Sequence, residues 1–351
     1  LMRAVELRGD RVLILDQTLL PHRVKVLECR TPEQVRRAIA EMRVRGAPAV
    51  GMAAAMALAL AALRSGGSPE ERLRELEEVA EELRRTRPTG ADLFRRLEEV
   101  MAAVRKAARE GRELGRAAVE EVRRRLREHE EVERRMGEHG ARLIRDGSTV
   151  LTHCNAGWLA TPGRYGTALS CIRFARRQGK RVRVLATETR PLLQGARLTA
   201  WELSREGIEV TVITDGMAGY CLSKGMVDLV VVGADRVFRD GHVINKVGTY
   251  PIAAVAKRHG VPFYVFAPLS TFDLSGRVEE VEIEHRGEEE VAKVAGRRVV
   301  PRGVRVLNPA FDLTPPELVT AFVTERGILH PPFSRDLLSG ARGRVLPGGR
   351  V

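Results

Sequence analysis

Five short apolar runs in the second half of the chain constrain its fold more than any other feature. ThrValLeu from Thr149, ValArgValLeuAla (182–186), ValThrValIle (210–213), LeuValValValGlyAla (229–234) and PheTyrValPheAla (263–267) are rich in β-branched residues and show little polar alternation. Strands that are apolar on both faces are buried on both faces. Segments with helical spacing begin after Thr167, Gln194, Ala218, Tyr250 and Thr314, so strands and helices alternate. That pattern predicts an α/β fold whose parallel sheet is covered by helices on both sides, a Rossmann-like domain. No GlyXGlyXXGly follows its first strand and no P-loop signature occurs. Neither a dinucleotide nor a P-loop nucleotide site is therefore indicated, and no cofactor is expected.

The first 130 residues read differently. Residues 1–28 alternate apolar and polar side chains between the turn signals ArgGlyAsp and LeuProHis, as short antiparallel strands do. ThrProGlu then opens a helix, with Thr31 as N-cap, Pro32 at the first position and Glu33 in the first turn. That helix is expected to run through Val35, Ile39 and Met42. A second, from Ala49, is almost all Ala, Met and Leu, so it must be buried on most faces. It is the stretch closest to a membrane span, yet short and Ala-rich for one. Three amphipathic helices follow, marked by Leu73, Leu76, Val79 and Leu83, then by Leu93, Leu97, Val100 and Val104, then by Val119, Val122 and Leu126. The expected division is 1–130, strands with a helical bundle, and 131–351, the Rossmann-like domain. The boundary falls inside the charged helix between about Glu120 and Ile144.

The formal charge of +13 invites a nucleic-acid reading. The cations are nearly all Arg, however, and most are interleaved with Glu at helical spacing, the pattern of a solvated, ion-paired helix face. Neither nucleic acid nor membrane is expected as a partner. The four cysteines, Cys29, Cys154, Cys171 and Cys221, form no CysXXCys pair, which argues against a zinc site or a disulfide framework. With no apolar leader at the start of the chain, the cytoplasm is the expected compartment.

Polar clusters interrupt the apolar pattern at strand ends and helix boundaries. They are ArgGlyAlaPro (45–48), ArgProThr (87–89), HisCysAsnAlaGly (153–157), GluThrArgProLeuLeuGlnGlyAlaArg (188–197), and GlyAlaAspArg (233–236) with AsnLysValGlyThr (245–249). Catalytic groups in α/β sheets sit at the carboxyl ends of strands, and Cys154 and Asp235 both occupy such ends. An acid beyond five apolar or small residues is costly unless paired or used, which singles out Asp235. AsnLysValGlyThr precedes an apolar helix near Tyr250, whose N–H groups and dipole would make an anion site with Lys246. Arg45 and Arg87 could add bidentate contacts to the same phosphate. A thiol, an acid and phosphate ligands without a metal cluster point to acid–base chemistry on a sugar phosphate.

These motifs carry a resemblance. ArgGlyAlaProAlaValGly, LeuThrHisCysAsnAlaGly, the long GluThrArgProLeuLeuGlnGlyAlaArgLeuThrAlaTrpGlu, AspGlyMetAlaGly, ValGlyAlaAspArg, AsnLysValGlyThrTyr and AsnProAlaPheAspLeuThrPro resemble, in order, the motifs of the 5-methylthioribose-1-phosphate isomerase family. The superfamily also holds ribose-1,5-bisphosphate isomerases and regulatory subunits of the eukaryotic translation-initiation nucleotide-exchange factor, in which the catalytic pair is generally not kept. The resemblance implies a homodimeric aldose–ketose isomerase of methionine salvage, with Cys154 as catalytic cysteine and Asp235 as proton donor. It places Arg45, Gly46, Ala47, Arg87, Gln194, Asn245 and Lys246 on the substrate. Two departures stand near the pocket for the C5 substituent: GlyAlaAsp follows ArgProThr where AlaValAsn is more usual, and Gly216 stands where Asn is usual.

Overall fold

Thr31 opens the first helix as its sequence requires: its hydroxyl accepts from the Gln34 amide, and the Gln34 side chain returns to the Thr31 amide. The computed structural model describes residues 3–87, 90–294 and 296–333. Two compact units emerge, Leu1–Glu131 with Gly157–Gly166, and Val132–Ala156 with Thr167–Val351. The inclusion of 157–166 in the first unit has no counterpart in the sequence reading.

In the first unit, β1 (Val5–Arg8), β2 (Arg11–Leu15) and β3 (Val26–Cys29) form an antiparallel meander. The helices are α1 (Pro32–Ala40), α2 (Ala47–Arg64), α3 (Pro69–Arg84), α4 (Ala91–Arg109) and α5 (Leu114–Ala141). Helix α1 ends two residues short of Met42, which takes a positive φ and turns the chain toward Arg45. Helix α2 is long and apolar enough to cross a membrane by composition, but 78% of it is buried inside the protein. Its small side chains let α1, α3 and α4 approach closely, so it is the core rather than a span. Helix α5 contains the division after Glu131.

The second unit is built on β4 (Thr149–Thr152), β5 (Arg183–Thr187), β6 (Glu209–Ile213), β7 (Leu229–Val232) and β10 (Phe263–Phe266). Helices α6 (Ala168–Arg177), α7 (Ala200–Arg205), α8 (Met217–Ser223) and α9 (Thr249–Arg258) connect them. Between β7 and α9 lie β8 (Arg236–Phe238) and β9 (Val243–Lys246). Later come β11 (Phe272–Asp273), α10 (Glu289–Ala292), β12 (Lys293–Val294), β13 (Arg297–Arg298), β14 (Phe311–Thr314), β15 (Ala321–Thr324) and β16 (Gly327–Leu329). The main sheet runs β16-β15-β10-β7-β4-β5-β6 and is parallel except for β16. Counting only its parallel strands from β4, the order is 3-2-1-4-5-6, the doubly wound order with its switch point between the first and fourth strands.

Two features depart from expectation. The helix expected after Thr314 is a three-residue 3₁₀ turn, Pro316–Leu318, followed by the buried strand β15. Its AlaPheValThr run is too short for periodicity to separate strand from helix. A second sheet, β11-β8-β9-β14, also went unread; its β9–β14 pairing sets Asn245 opposite Asp312.

Candidate active site

The two chemically suggestive residues both follow strands that flank the switch point. Strand β4 pairs with β7 in the register Thr152↔Val231, so the segments carrying Cys154 and Asp235 leave the sheet from neighbouring carboxyl ends. They stay close beyond the sheet: a Cβ on Gly233 would lie 3.1 Å from the Ala156 side chain. On the other flank β5 delivers Thr187, Thr189 and Gln194.

Cys154 has a left-handed backbone, φ 63°, a conformation costing a side-chain-bearing residue on the order of 1–2 kcal/mol. Two threonines hold it there. The Cys154 amide donates to Thr189 Oγ1 at 2.8 Å, and Thr199 Oγ1 donates to the Cys154 carbonyl at 2.6 Å. Strain retained in this way is a mark of a functional position. The other cysteines differ: Cys29, Cys171 and Cys221 are buried, and burial pushes each thiol up, whereas Cys154 is only half-buried.

Asn155 is buried and donates to Thr199 Oγ1 at 3.1 Å and to the Glu202 carboxylate. Glu202 also receives the Arg173 guanidinium at 2.8 Å, and Arg173 reaches Glu206 at 2.7 Å. Burial raises the Glu202 carboxyl and Arg173 opposes that rise. Asp215 accepts from the Thr189 and Arg190 amides at 2.8 and 2.7 Å, fixing the start of the Gln194 loop. Gln194 precedes a π-helical turn, Gly195–Thr199, a form often found at functional sites. Gly195 is required there, since a Cβ would come within 1.7 Å of the Thr187 carbonyl. The Gln194 side-chain oxygen is buried with no hydrogen-bond partner among the described residues.

Asn245 and Lys246 end β9. Asn245 donates to Thr249 Oγ1 at 3.0 Å, and Lys246 donates to the Ala310 carbonyl at 2.8 Å with its ammonium 4.5 Å from the Phe311 ring centre. The amino end of α9 is not the open anion site the sequence suggested. Asp312 from β14 accepts from Gly248 N at 2.7 Å and Tyr250 N at 3.1 Å. Burial raises the Asp312 carboxyl to about 6 against the pull of these amides. Asp235, singled out by the cost of burying an acid at the end of an apolar run, is exposed.

In the first unit, Arg45 and Gly46 lead into α2, with Gly46 as N-cap at φ 86° and no side-chain cap. A Cβ on Gly46 would meet the Ala160 carbonyl oxygen at 2.3 Å, so the 157–166 segment packs directly against this helix start. Ala47 is exposed in the first turn. The loop forms because Asp16, fully buried, receives Arg43 at 2.5 Å, and the Gln17 amide donates to the Arg43 carbonyl at 2.9 Å. Arg87 follows α3 and accepts from the Gly90 amide at 2.9 Å; Pro88 and Thr89 of the ArgProThr cluster lie outside the described residues.

A doubly wound sheet with a strained cysteine at its switch point defines an α/β protein of enzyme-like organisation. Residues 43–331 match the Initiation factor 2 subunit family, and the chain belongs to that family. A curated relative from Desulforudis audaxviator, named methylthioribose-1-phosphate isomerase, is 50% identical over 96% of this chain and 97% of its own length. The crystal structure of 5-methylthioribose 1-phosphate isomerase from Pyrococcus horikoshii superposes with a TM-score of 0.91 at 41% identity, covering 96% of this chain and 95% of that one. A structure from A. fulgidus described as translation initiation factor eIF-2B, subunit delta, gives 0.88 at 46%, covering 95% and 97%.

Proposed function

We infer that this chain is an aldose–ketose isomerase converting 5-methylthioribose 1-phosphate to 5-methylthioribulose 1-phosphate, a step of methionine salvage. The observation that carries the reading is the half-identity, over nearly the full length of both chains, to relatives named for that isomerase. The A. fulgidus protein carries a translation-factor description at similar identity, and the Cys154–Asp235 pair at the switch point favours the enzyme over a regulatory subunit.

The chemistry asks for two groups. The C1 phosphate blocks spontaneous ring opening, so an acid must protonate the ring oxygen as the C1–O bond breaks. Asp235 takes that role. An acid in this role must be protonated when the sugar is bound, and covering by the sugar would favour that neutral form. Cys154, as thiolate, removes the C2 proton and delivers it to C1 of the resulting enol phosphate, while the C2 hydroxyl passes its proton back to the Asp235 carboxylate as the C2 ketone forms. Arg45, Gly46, Ala47 and Arg87 bind the phosphate through guanidinium groups and α2 amides, and Gln194, Asn245 and Lys246 orient the sugar. Homodimer formation and a cytoplasmic location complete the reading.

The C5 side is read as apolar. A second phosphate would have to recruit Arg190 or Arg197; Arg190 donates to the Val291 carbonyl at 2.9 Å and the Pro191 carbonyl at 3.0 Å, and Arg197 donates to the Leu192 carbonyl at 3.2 Å. Ribose 1,5-bisphosphate is therefore expected to be turned over poorly. Cys154→Ser and Asp235→Asn are expected to keep the thermal midpoint and each reduce kcat by about a thousandfold or more, while Cys29→Ser stays near wild type. Isomerisation assays on the 5-methylthio, 5-deoxy and 5-phospho sugar 1-phosphates check both points. Full activity of Cys154→Ser would remove the thiolate from the mechanism. A preference for the bisphosphate would overturn the substrate.

A further inference from the structure

His153 is the buried titratable group that the chemistry above leaves without a task. Its Nε2 lies 2.8 Å from the Val247 carbonyl and its Nδ1 2.7 Å from Thr187 Oγ1. Thr187 Oγ1 lies 3.3 Å from Thr189 Oγ1, the atom that accepts the Cys154 amide. The direction of every proton in this chain can be worked out. A carbonyl only accepts, so Nε2 carries the hydrogen. The ring is almost wholly buried, and desolvation holds it neutral, with Asp215 and Lys246 as the charges nearest in influence and opposite in effect. Nδ1 is then bare, and the Thr187 hydroxyl must donate to it. Thr187 Oγ1 can then only accept from Thr189, whose hydroxyl is shared between Thr187 Oγ1 and the Thr187 carbonyl, both at 3.3 Å. The lone pairs of Thr189 are thereby left facing the Cys154 N–H.

We propose that His153, Thr187 and Thr189 form a one-directional hydrogen-bond chain that positions Cys154 and ties its backbone to the substrate-binding segment 245–248. This rests on Cys154 as the reacting group. All donors point one way, from the Cys154 amide through Thr189, Thr187 and His153 to the Val247 carbonyl, so each bond polarises the next. The far end is gripped sterically as well. Gly248, at φ 104°, lies against the imidazole so closely that a Cβ would sit 2.8 Å from Cε1. Val247 directly follows Lys246 and precedes the cap of α9, so a shift of that segment on sugar binding is transmitted to the strained Cys154 backbone. The three side chains are positioning residues and do not touch the reacting atoms.

The test uses Thr187→Val, which keeps the β-branched shape suited to a strand but can neither donate nor accept, beside Thr187→Ser, which keeps the hydroxyl. The Val variant is expected to lose about tenfold or more in kcat with KM within about twofold, and the Ser variant to recover to within about threefold of wild type. A second readout is independent of turnover: with ¹⁵N-cysteine labelling the chain's four cysteines give separate amide signals. In the Val variant the Cys154 amide proton should move upfield, as a weakened hydrogen bond requires, while those of Cys29, Cys171 and Cys221 stay in place. An unmoved Cys154 signal, unchanged kcat in the Val variant, or equal losses in Val and Ser would each overturn the chain. Retained activity in Cys154→Ser would instead remove the catalytic reading on which it rests, and the amide shift would still report the hydrogen-bond chain.

Discussion

The amino ends of α2 and α9 present the same backbone groups and have been put to different use. Both helices follow a glycine with positive φ, Gly46 at 86° and Gly248 at 104°, and both sit in motifs that carry a cation, Arg45 and Lys246. At α9 the amides are answered from within the protein, because Asp312 reaches across from β14 to Gly248 and Tyr250. At α2 the N-cap is likewise a glycine with no side chain to accept from the first turn, and Ala47 is exposed. The orphan amides of a helix start make an anion site only while nothing else satisfies them. The internal carboxylate fixes the start of α9 beside Asn245, Lys246 and the His153 contact, and the start of α2 is the one we propose for the phosphate.

The sharpest way to break this contrast is Gly46→Ala. A methyl group at φ 86° and 2.3 Å from the Ala160 carbonyl oxygen forces the backbone of the helix start to move. Catalytic efficiency is expected to fall by more than about a hundredfold together with a clear drop in thermal midpoint, an effect of about 3 kcal/mol. Scanning calorimetry and steady-state kinetics on one preparation read both. An unaltered midpoint would show that the 157–166 segment yields freely.

Arg45→Ala should act more narrowly. Loss of a charge-assisted contact to phosphate, worth about 2 kcal/mol, is expected to raise KM about thirtyfold and to weaken competitive inhibition by inorganic phosphate in parallel. A large fall in kcat with unchanged KM would move Arg45 from phosphate ligand to the reacting centre.

Asp312→Asn probes the other helix and should do least. Inorganic phosphate inhibition is expected to stay within about twofold of wild type, because the α9 amides do not face the anion. A tenfold tighter phosphate constant in this variant would show that they do, and the contrast would fail. The same variant tests the carboxyl's linkage to pH. Burial disfavours the charged form of Asp312 and pushes its carboxyl up to about 6 from its ordinary 3.8. The folded state thus holds the proton more tightly than the unfolded state. The stability so contributed is complete below about pH 4 and is lost as pH rises through about 6, a change of about 2–3 kcal/mol. Denaturation midpoints between pH 4 and 7 should decline less steeply in Asp312→Asn than in wild type.

Legibility in the sequence followed the range of the interactions involved. The cap at Thr31, the burial of α2 and the strands β4, β5, β6, β7 and β10 are set by neighbours within a few residues, and all were readable as period, composition or cap. Cys154 and Asp235 stood out because polar residues at the ends of apolar runs are costly. Asp312 and Asp215 lay inside recognisable motifs, yet nothing in their sequence surroundings told which amides they would meet 64 and 26 positions away. Arg173 gave no signal at all, since its helix resembles the other arginine-bearing helices until Glu202 and Glu206 are brought beside it.

By itself, then, the sequence determined the α/β class, the alternation of the core strands and helices up to β10, and the residues worth suspecting, since local spacing and the cost of burying polar groups act along the chain. Only the tertiary structure decided that the parallel strands take a 3-2-1-4-5-6 order, which brings the segments carrying Cys154 and Asp235 to neighbouring strand ends. It also decided that residues 157–166 join the first unit, and that Asp312 answers the first amides of α9. The physical reason is the same in each case. Strand pairing and hydrogen bonding between distant residues depend on which groups folding leaves unsatisfied, and that becomes fixed only when the whole sheet has closed.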